Sequence, residues 1–426
     1  MDKIVIDGGV PLEGEVSISG AKNAALPIMA ATLLAPGVHR LQNVPRLADI
    51  RTMKRVLGLM GVTFEEAGGL MGPDLPAGAL LVDSSNLTGW MAPYEVVKTM
   101  RAAVLVLGPL LARARQASVS LPGGCAIGAR PINLHLKGLE AMGVKITLNQ
   151  GYVEAKAKEL KGAEIILDFP TVTGTENLMM AATLAKGTTR IVNAAQEPEV
   201  GDLARFLVTL GARIEGIGTD VLTIHGVEAL TPTPYTVMSD RIEAGTYLAA
   251  AAITKGQVTI TNAPVAHLTA TLEKLHEAGV RCTAAEDRIE VHPGGSLAGV
   301  DVKTLPYPGF PTDMQAQFMA LMSVAKGASV ITETIFEDRF IHVGELKRLG
   351  ADITISGNQA VVRGRRHLSG APVMATDLRA SASLIIAGLA AQGTTEVHRV
   401  YHLDRGYANL VEKLSALGAH IKRMPA

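Results

Sequence analysis

Aromatic residues are scarce in this chain: Phe, Trp and Tyr make up 4% of its 426 residues. Hydrophobic residues nevertheless make up 48%, so the core must consist of aliphatic side chains, alanine and methionine. A chain of this length exceeds what one ordinary core accommodates. We therefore expect two domains.

Cysteine is also rare, with Cys125 and Cys282 the two in the chain. Neither has His or Cys neighbours at zinc-ligand spacing, which argues against a structural zinc site. Residues 1–9 carry charges where a signal peptide would be apolar, so we expect a cytoplasmic protein. A structural disulfide is disfavoured in that compartment.

Neither charge sign is in excess, because Lys plus Arg and Asp plus Glu each number 40. This balance argues against general nucleic-acid binding, which needs a basic surface. Long apolar runs are missing as well: stretches such as residues 244–253 fall short of the ~20 residues of a membrane span. We therefore expect neither a nucleic-acid partner nor a membrane.

One pattern occurs six times: Leu, two residues, an apolar residue, Gly, then Ala or Val. Its glycines are Gly61, Gly143, Gly211, Gly279, Gly350 and Gly418. Subtraction gives spacings of 82, 68, 68, 71 and 68 residues, which indicate repeated supersecondary units. In each copy we predict an amphipathic helix that ends at the glycine and a strand that follows it.

A helix of small residues precedes the amphipathic helix in most copies. Five of these helices end at a glycine that a β-pattern follows: Gly37, Gly187, Gly256, Gly327 and Gly393. Each unit is thus predicted to run small-residue helix, strand, amphipathic helix, strand pair. Because residues 247–253 are apolar almost all round, we expect these helices to be buried, with the strands outside them.

Six units in two domains imply three units in each. The proline-rich residues 231–235 predict one boundary. The β-pattern in residues 3–19 precedes the first helix and is predicted to pair with the C-terminal lobe. We assign residues 22–234 to one lobe and residues 1–21 plus 235–426 to the other, with two chain crossings between them.

The second unit contains an insertion of 14 residues, from 82 − 68, and residues 122–131 lie within that unit. This segment places three glycines and two prolines around Cys125 and Arg130. A nearby Arg130 would favour the reactive thiolate of Cys125. We predict that Cys125 is a nucleophile or a general acid, whereas Cys282, in a β-pattern, is interpreted as a small buried hydrophobe.

Cations lie at the predicted N-termini of three otherwise apolar helices: Lys22, Arg241 and Arg379. A cation there opposes the helix dipole, and a bound phosphate or carboxylate would explain its presence.

Other polar residues at the same helix starts have a simpler interpretation. Thr173, Ser239 and Thr376 are predicted to be N-caps. Asp313, at another helix start, is equally compatible with a helix cap and with a general base.

Many motifs in chain order resemble those of the enolpyruvyl transferases. They span residues 20–24, 92–95, 99–101, 175–180, 240–243, 310–313, 333–337, 376–379 and 402–407. The segment around Cys125 resembles the branch of that family that uses UDP-N-acetylglucosamine. The resemblance implies an α/β fold of two inside-out α/β barrel domains, each of three repeated units with buried helices, facing each other across a cleft.

The resemblance also implies a reaction. The enolpyruvyl group of phosphoenolpyruvate would be transferred to the 3′-hydroxyl of UDP-N-acetylglucosamine by addition and elimination, with release of phosphate. This would be the first committed step of peptidoglycan synthesis. Neither a metal nor another cofactor would be needed, and the enzyme would act as a monomer.

Roles for single residues follow from the matching motifs. Cys125 would protonate the methylene carbon, Asp313 would be the base toward the sugar hydroxyl, and Lys22 and Arg405 would be catalytic cations. All but Cys125 would also bind substrate. The other substrate-binding residues would be Asn23, Arg101, Arg130, Pro131, Ile132, Asn133, Leu134, Thr171, Val172, Thr173, Ile335, Arg339, Asp377 and Arg379.

Two other hypotheses are open at this point. A shikimate-pathway enolpyruvyl transferase would use another acceptor, and the segment around Cys125 disfavours it. A repeat scaffold that only binds anions would not need Cys125, Asp313 and several separate cations together.

Overall fold

A computed structural model of the chain describes residues 2–66, 79–121 and 132–425. Three predicted site residues, Cys125, Arg130 and Pro131, lie outside these ranges. No helix within these ranges is both long enough and apolar enough to cross a membrane.

The described residues form 24 strands. They are β1 (Asp2–Asp7), β2 (Glu13–Ser17), β3 (Val38–Gln42), β4 (Thr63–Glu66), β5 (Leu80–Asp83), β6 (Met91–Ala92), β7 (Gln116–Ser120), β8 (Lys145–Asn149), β9 (Tyr152–Lys156), β10 (Glu164–Ile166), β11 (Thr188–Val192), β12 (Arg213–Glu215), β13 (Val221–His225), β14 (Tyr235–Thr236), β15 (Gln257–Thr261), β16 (Cys282–Ala285), β17 (Arg288–Val291), β18 (Val302–Lys303), β19 (Ala328–Thr332), β20 (Asp352–Ser356), β21 (Gln359–Arg363), β22 (Pro372–Met374), β23 (Thr394–His398) and β24 (His420–Pro425).

Helices alternate with these strands over the same described ranges. The α-helices are α1 (Lys22–Ala31), α2 (Ala48–Gly58), α3 (Tyr94–Val97), α4 (Leu107–Ala114), α5 (Asn133–Ala141), α6 (Val172–Ala182), α7 (Pro198–Thr209), α8 (Arg241–Ile253), α9 (Thr269–Glu277), α10 (Gln315–Met322), α11 (Val343–Arg348), α12 (Leu378–Ala390) and α13 (Leu410–Ala416). The 3₁₀ helices are Thr32–Leu34, Arg101–Val106, Val265–His267, Thr312–Met314 and Val400–Arg405.

Six four-stranded sheets share one plan. The first strand is parallel to the second, and the third strand is antiparallel to both the second and the fourth. Their orders are β14-β3-β5-β4, β6-β7-β9-β8, β10-β11-β13-β12, β2-β15-β17-β16, β18-β19-β21-β20 and β22-β23-β1-β24. The α/β fold of six repeated units is therefore confirmed.

Three strands reach their sheets from distant parts of the sequence. Strand β2 is parallel to β15, although β2 precedes the first repeat and β15 belongs to the fourth. Conversely, β14 precedes the fourth repeat and pairs with β3 of the first. Strand β1 pairs with β23 and β24, which confirms the predicted pairing of the N-terminal β-pattern with the C-terminal part of the chain.

The chain divides into two compact units with three sheets each. Unit 1 contains the described residues up to Ser19 and from Ser239 onward, and unit 2 contains those from Gly20 to Met238. The predicted crossings were at residues 21/22 and 234/235. The second lies later than predicted because Tyr235 and Thr236 pair with Leu41 and Gln42 of unit 2.

Small-residue helices form the interior of each unit, as predicted. Every residue of α8 and of α10 is buried, and both helices pack against α12 in unit 1. Helices α1, α4 and α6 are mostly buried in unit 2. Close packing requires the small side chains: a Cβ at Gly245 would lie 2.7 Å from Met314 Sδ.

The repeat glycines end the amphipathic helices as predicted. All six of them have φ between +86° and +108°, a region that favours glycine. Gly256, which follows the small-residue helix α8, differs from these glycines. The positive φ there, 56°, belongs to Lys255. Gly256 is required by space instead, since a Cβ there would lie 2.2 Å from the Leu12 carbonyl oxygen.

Three predicted N-caps were wrong by one or two residues. The capping side chains are Thr171, Asp240 and Asp377, in place of Thr173, Ser239 and Thr376. Each aspartate accepts two backbone N–H groups and carries the negative charge that a helix N-terminus favours. Thr171 is the cap of α6 because that helix begins earlier than predicted.

In the second repeat, the helix that precedes the amphipathic helix is interrupted. It consists of α3, the 3₁₀ helix Arg101–Val106 and α4, which continues to Ala114. Pro109 lacks an N–H group, and the Gly108 N–H donates to the Asn177 side chain at 2.5 Å. Arg115, with φ of 61°, stands where other repeats use glycine.

Candidate active site

Asp313 lies between two buried arginines in unit 1. It is part of the 3₁₀ helix Thr312–Met314, and its side chain is 27% exposed. Arg339 Nη2 donates to Asp313 Oδ1 at 2.9 Å, and Arg379 Nη2 donates to Asp313 Oδ2 at 2.8 Å. Both arginine side chains are at most 5% exposed. Two buried guanidinium groups therefore hold the Asp313 carboxylate from both of its oxygens.

Arg379 occupies the position that the sequence singled out, the first turn of a buried helix. Burial alone would lower the pKa of its guanidinium, but Asp313, Tyr407 and Asp240 raise it, so the group stays charged. Arg241, the first residue of α8, is also buried. Two of the three cations that the sequence singled out at helix starts, Arg241 and Arg379, are therefore buried in unit 1.

Glu333 organises the segment that follows β19. Its Oε1 accepts from the Ile335 N–H at 2.8 Å and from Thr304 Oγ1 at 2.8 Å. Its Oε2 accepts from Thr312 Oγ1 at 2.9 Å, and Arg339 Nη1 donates to that same Thr312 oxygen at 3.1 Å. Glu333 therefore links the predicted substrate-binding residue Ile335 to the Asp313 cluster.

Asp377 is the N-cap of α12. Its Oδ1 accepts from the Arg379 and Ala380 N–H groups at 2.8 and 3.0 Å. Nearby, burial lowers the pKa of His342 to about 4, although the Asp377 charge acts in the opposite direction. Asp377 thus fixes the start of the helix that carries Arg379.

Arg405 is half-buried at the end of the 3₁₀ helix Val400–Arg405. Burial lowers the pKa of His402 in the same helix, and the Arg405 charge adds to that effect. His402 is therefore neutral at pH 7, and Arg405 supplies the positive charge of this segment.

Lys22 begins α1 in unit 2. Its Nζ lies 3.4 Å from Asp49 Oδ2, and the two side chains are 12% and 5% exposed. Among the residues that the structure describes, no side chain caps this helix, and its first turn contains no acidic residue. The N-terminus of α1, with Lys22 and Asn23, therefore combines a partly buried ammonium group with the positive end of a helix dipole.

His135 connects two groups of predicted substrate-binding residues in unit 2. It lies on α5, directly after Asn133 and Leu134, and it is 2% exposed. His135 Nε2 is 3.3 Å from Thr173 Oγ1, and its Nδ1 is 3.1 Å from Asn177 Nδ2. Burial lowers the pKa of His135 to about 4, and the Arg101 charge adds to this effect.

The direction of these hydrogen bonds follows from Asn177. Its Oδ1 must accept from the Gly108 N–H, so its Nδ2 donates to Val104 O at 2.9 Å and to His135 Nδ1. A neutral imidazole then carries its proton on Nε2 and donates it to Thr173. The Thr173 hydroxyl is left to donate its own proton elsewhere, as a contact to a phosphate oxygen requires.

The predicted site residues that the structure describes are therefore divided between the two units. Unit 1 holds Asp313, Ile335, Arg339, Asp377, Arg379 and Arg405, and unit 2 holds Lys22, Asn23, Arg101, Ile132, Asn133, Leu134, Thr171, Val172 and Thr173. The roles of these residues toward substrate stay predictions.

Sequence reasoning missed the residues that hold these groups in place. They are Asp49, His135, Asn177, Thr246, Glu333, Gln317 and Tyr407. Asn177, Glu333 and Tyr407 lie within motifs that carried the resemblance, which was the signal that could have drawn attention to them.

An open groove of about 770 Å³ lies elsewhere in unit 1, between α9 and strands β18 and β19. Two of its charged side chains are engaged locally: Lys274 pairs with Glu277, and Asp301 accepts from the Val330 N–H. None of the predicted site residues lines this groove. The Asp313 cluster is therefore the stronger candidate site in unit 1.

Comparison with known proteins gives matches along the whole chain. The profile of the EPSP synthase (3-phosphoshikimate 1-carboxyvinyltransferase) family matches residues 6–414.

The chain belongs to this enolpyruvyl transferase family.

Curated relatives are similar over their full lengths. Proteins named UDP-N-acetylglucosamine 1-carboxyvinyltransferase from Desulfatibacillum aliphaticivorans and Geobacter metallireducens are each 58% identical to it, and one from Desulfosudis oleivorans is 59% identical. Each match covers 100% of both chains. The resemblance inferred from the motifs is confirmed.

Solved structures of the family share the fold. The enolpyruvyl transferase NikO from Streptomyces tendae matches with a TM-score of 0.89 at 27% identity and covers 100% of this chain and 99% of its own. EPSP synthase from Acinetobacter baumannii matches with a TM-score of 0.78 at 19% identity, with 100% of both chains covered, which shows the fold alone.

Proposed function

We propose that this chain transfers the enolpyruvyl group of phosphoenolpyruvate to the 3′-hydroxyl of UDP-N-acetylglucosamine and releases phosphate, the first committed step of peptidoglycan synthesis. The observation that carries the proposal is the full-length identity of 58–59% to relatives that bear the name of this transferase. The segment around Cys125, which resembles that branch and not the shikimate-pathway branch, supports the choice of acceptor.

The residue types suit two anionic substrates. Phosphoenolpyruvate carries a phosphate and a carboxylate, which need several fixed cations. Lys22, Arg130 and Arg405 are proposed to bind it, and the partly buried Lys22 lies beside Asp49. Thr173, whose hydroxyl proton is directed away from His135, is proposed to donate to the nucleotide sugar.

In the addition step, the 3′-oxygen bonds to C2 of phosphoenolpyruvate and gives its proton to Asp313. The methylene carbon C3 gains a proton from the Cys125 thiol, so no charge accumulates on carbon. In the elimination step, the bond from C2 to the phosphate oxygen breaks, and phosphate leaves with the proton that Asp313 had taken up. C3 returns a proton to the Cys125 thiolate, which restores the double bond.

Asp313 can act as a base while it is held by two arginines. A carboxylate has about four lone-pair positions, and Arg339 and Arg379 take one on each oxygen. The side chain is 27% exposed, so the sugar hydroxyl can approach the carboxylate. Both groups of site residues lie on one chain, so we propose that the enzyme acts as a monomer. We also propose that it acts in the cytoplasm.

One assay tests the proposal. Phosphate release from phosphoenolpyruvate would be measured with UDP-N-acetylglucosamine and, separately, with shikimate-3-phosphate. We expect release with the nucleotide sugar alone. Release only with shikimate-3-phosphate would show that the acceptor is wrong, and no release with either would show that the chain is not this kind of enzyme.

A further inference from the structure

The hydroxyl of Tyr407 joins the three buried helices of unit 1. It accepts from Arg379 Nη1 on α12 at 3.2 Å and from Gln317 Nε2 on α10 at 3.2 Å. It lies 2.8 Å from Thr246 Oγ1 on α8. Tyr407 is 4% exposed and follows the 3₁₀ helix Val400–Arg405, and the proposed reaction assigns no role to Tyr407 itself.

The chemistry of the partners fixes the direction of each hydrogen bond. Arg379 and the Gln317 amide nitrogen can only donate, so both donate to the Tyr407 oxygen, and Gln317 Nε2 also lies 3.2 Å from Thr246 Oγ1. The Tyr407 proton then donates to Thr246 Oγ1, whose own proton donates to Ile242 O at 2.7 Å. Burial raises the pKa of the Tyr407 phenol, which keeps that proton in place.

Tyr407 and Asp313 share one guanidinium group. Arg379 uses Nη1 for Tyr407 and Nη2 for Asp313 Oδ2, and its Cζ lies 5.5 Å from the centre of the Tyr407 ring. A planar guanidinium fixed at one nitrogen and stacked near a ring has a defined orientation. The position of Asp313 Oδ2 therefore depends on the Tyr407 hydroxyl.

A second connection reaches the same carboxylate residue. Gln317 Nε2 donates both to the Tyr407 oxygen and, at 2.9 Å, to the backbone oxygen of Asp313. One hydroxyl group therefore stabilises Asp313 through its side chain and through its backbone.

We propose that Tyr407 is a positioning residue for the reaction, acting through Arg379 to hold the Asp313 carboxylate in the orientation that accepts the sugar proton. This inference rests on the proposed function, in which Asp313 is the base. It concerns a residue that need not touch substrate, so its loss should affect the chemical step more than substrate binding.

The test is Tyr407→Phe, which removes one oxygen and keeps the ring. We expect kcat for phosphate release to fall about 10- to 100-fold, the range expected when a general base is poorly placed. The KM values of both substrates should stay within about threefold, because Arg379 keeps its charge. The acidic limb of the kcat–pH profile should move to higher pH, since a carboxylate held less firmly by Arg379 takes up a proton more readily.

Tyr247 provides a matched control. It is a buried tyrosine on α8 of the same unit, and its hydroxyl has no hydrogen-bond partner among the described residues. Tyr247→Phe removes the same atom from the same core and should leave kcat, KM and the pH profile unchanged.

A pair of variants at Thr246 keeps the proposal testable if Tyr407→Phe does not fold. Thr246→Val removes the acceptor of the Tyr407 proton, whereas Thr246→Ser keeps it. We expect Thr246→Val to lower kcat several-fold and Thr246→Ser to remain within about twofold of the wild type. In an Arg379→Lys background, which lacks the shared guanidinium, Tyr407→Phe should cause little further loss.

The outcomes separate this inference from the proposed function. A wild-type chain that releases no phosphate with UDP-N-acetylglucosamine overturns the function. An active wild type with a folded Tyr407→Phe variant of unchanged kcat and pH profile overturns the positioning role. Equal activities of Thr246→Val and Thr246→Ser would also overturn the positioning role. The same holds if the losses of kcat from Tyr407→Phe and Arg379→Lys are fully additive.

Discussion

Replacing Lys413 with methionine would leave a buried carboxylate without the ammonium group that faces it. Lys413 Nζ lies 2.8 Å from Glu243 Oε1, from Ser19 Oγ and from Ser17 O. The Glu243 side chain is 2% exposed and that of Lys413 is 20% exposed. Methionine keeps most of the aliphatic stem, so the change removes the charge while the volume is nearly conserved.

The expected loss of stability is large. Removing one partner of a buried ion pair costs about 3–5 kcal/mol, because the other charge stays buried. For a folded unit of 150–250 residues, each kcal/mol lowers Tm by about 2–4 °C. We therefore expect Lys413→Met to lower the Tm of unit 1 by about 10 °C at pH 8.

The loss should depend on pH. Burial raises the pKa of Glu243 even with Lys413 nearby, so the folded state binds this proton more tightly than the unfolded state. Stability from this group is then present at acid pH and is lost as pH rises through the folded-state pKa. Without Lys413 that pKa is higher still, so the difference from the wild type should be small at pH 5 and large at pH 8.

Differential scanning calorimetry from pH 5 to pH 8 would measure the effect. Lys274→Met is the control, because its pair with Glu277 is exposed and should contribute about 0–1 kcal/mol. Adding Glu243→Gln to Lys413→Met should recover most of the loss at pH 8. A Tm shift below about 3 °C that is the same at every pH would refute the reasoning.

Three further predictions concern unit 2 and the segment outside the described residues. Asn177→Leu leaves the Gly108 N–H and the Val104 carbonyl without their side-chain partner and should cost about 3 kcal/mol in denaturant unfolding; a loss under about 1 kcal/mol would contradict the hydrogen bonds. The imidazole resonances of His135 should stay constant in NMR spectra from pH 8 to pH 5, since its pKa is about 4, and a midpoint near pH 6.5 would contradict its burial. Cys125→Asp should keep more phosphate-release activity than Cys125→Ala, because an acid can replace an acid; equal losses would argue against protonation by Cys125.

The repeated helices and strands could be predicted because the signals for them, such as a helix-ending glycine, lie within each element. A glycine at positive φ is a common end for a helix, and six regularly spaced glycines such as Gly211 end helices here. The continuous apolar character of α8 predicted its burial correctly. The pairing of Tyr235 and Thr236 with β3 was missed, because two residues carry no alternation and their partners are about 190 positions away.

The charged residues of the candidate site could be predicted from the sequence, whereas the hydrogen bonds between them could not. A cation at a buried helix start, such as Arg379, conflicts with the helix dipole and is visible in sequence. Its partners Asp313 and Tyr407 are set by how three helices pack, which no local pattern contains. The N-cap of α12 was misassigned to Thr376 because Thr376 and Asp377 are both good caps, and the aspartate accepts both available N–H groups.

The strand exchange between distant repeats has a consequence for synthesis on the ribosome. Strands β1 and β2 are made well before their partners, because β2 pairs with β15 and β1 pairs with β23 and β24. At about 5–20 residues per second, these strands wait roughly 10 s to more than a minute for their partners, whereas unit 2 is complete once residue 238 has been made. Unpaired strands invite association with other nascent chains. Asp2, Lys3, Asp7, Glu13 and Glu15 lie in these two strands, and their charges oppose such association until the last strand emerges.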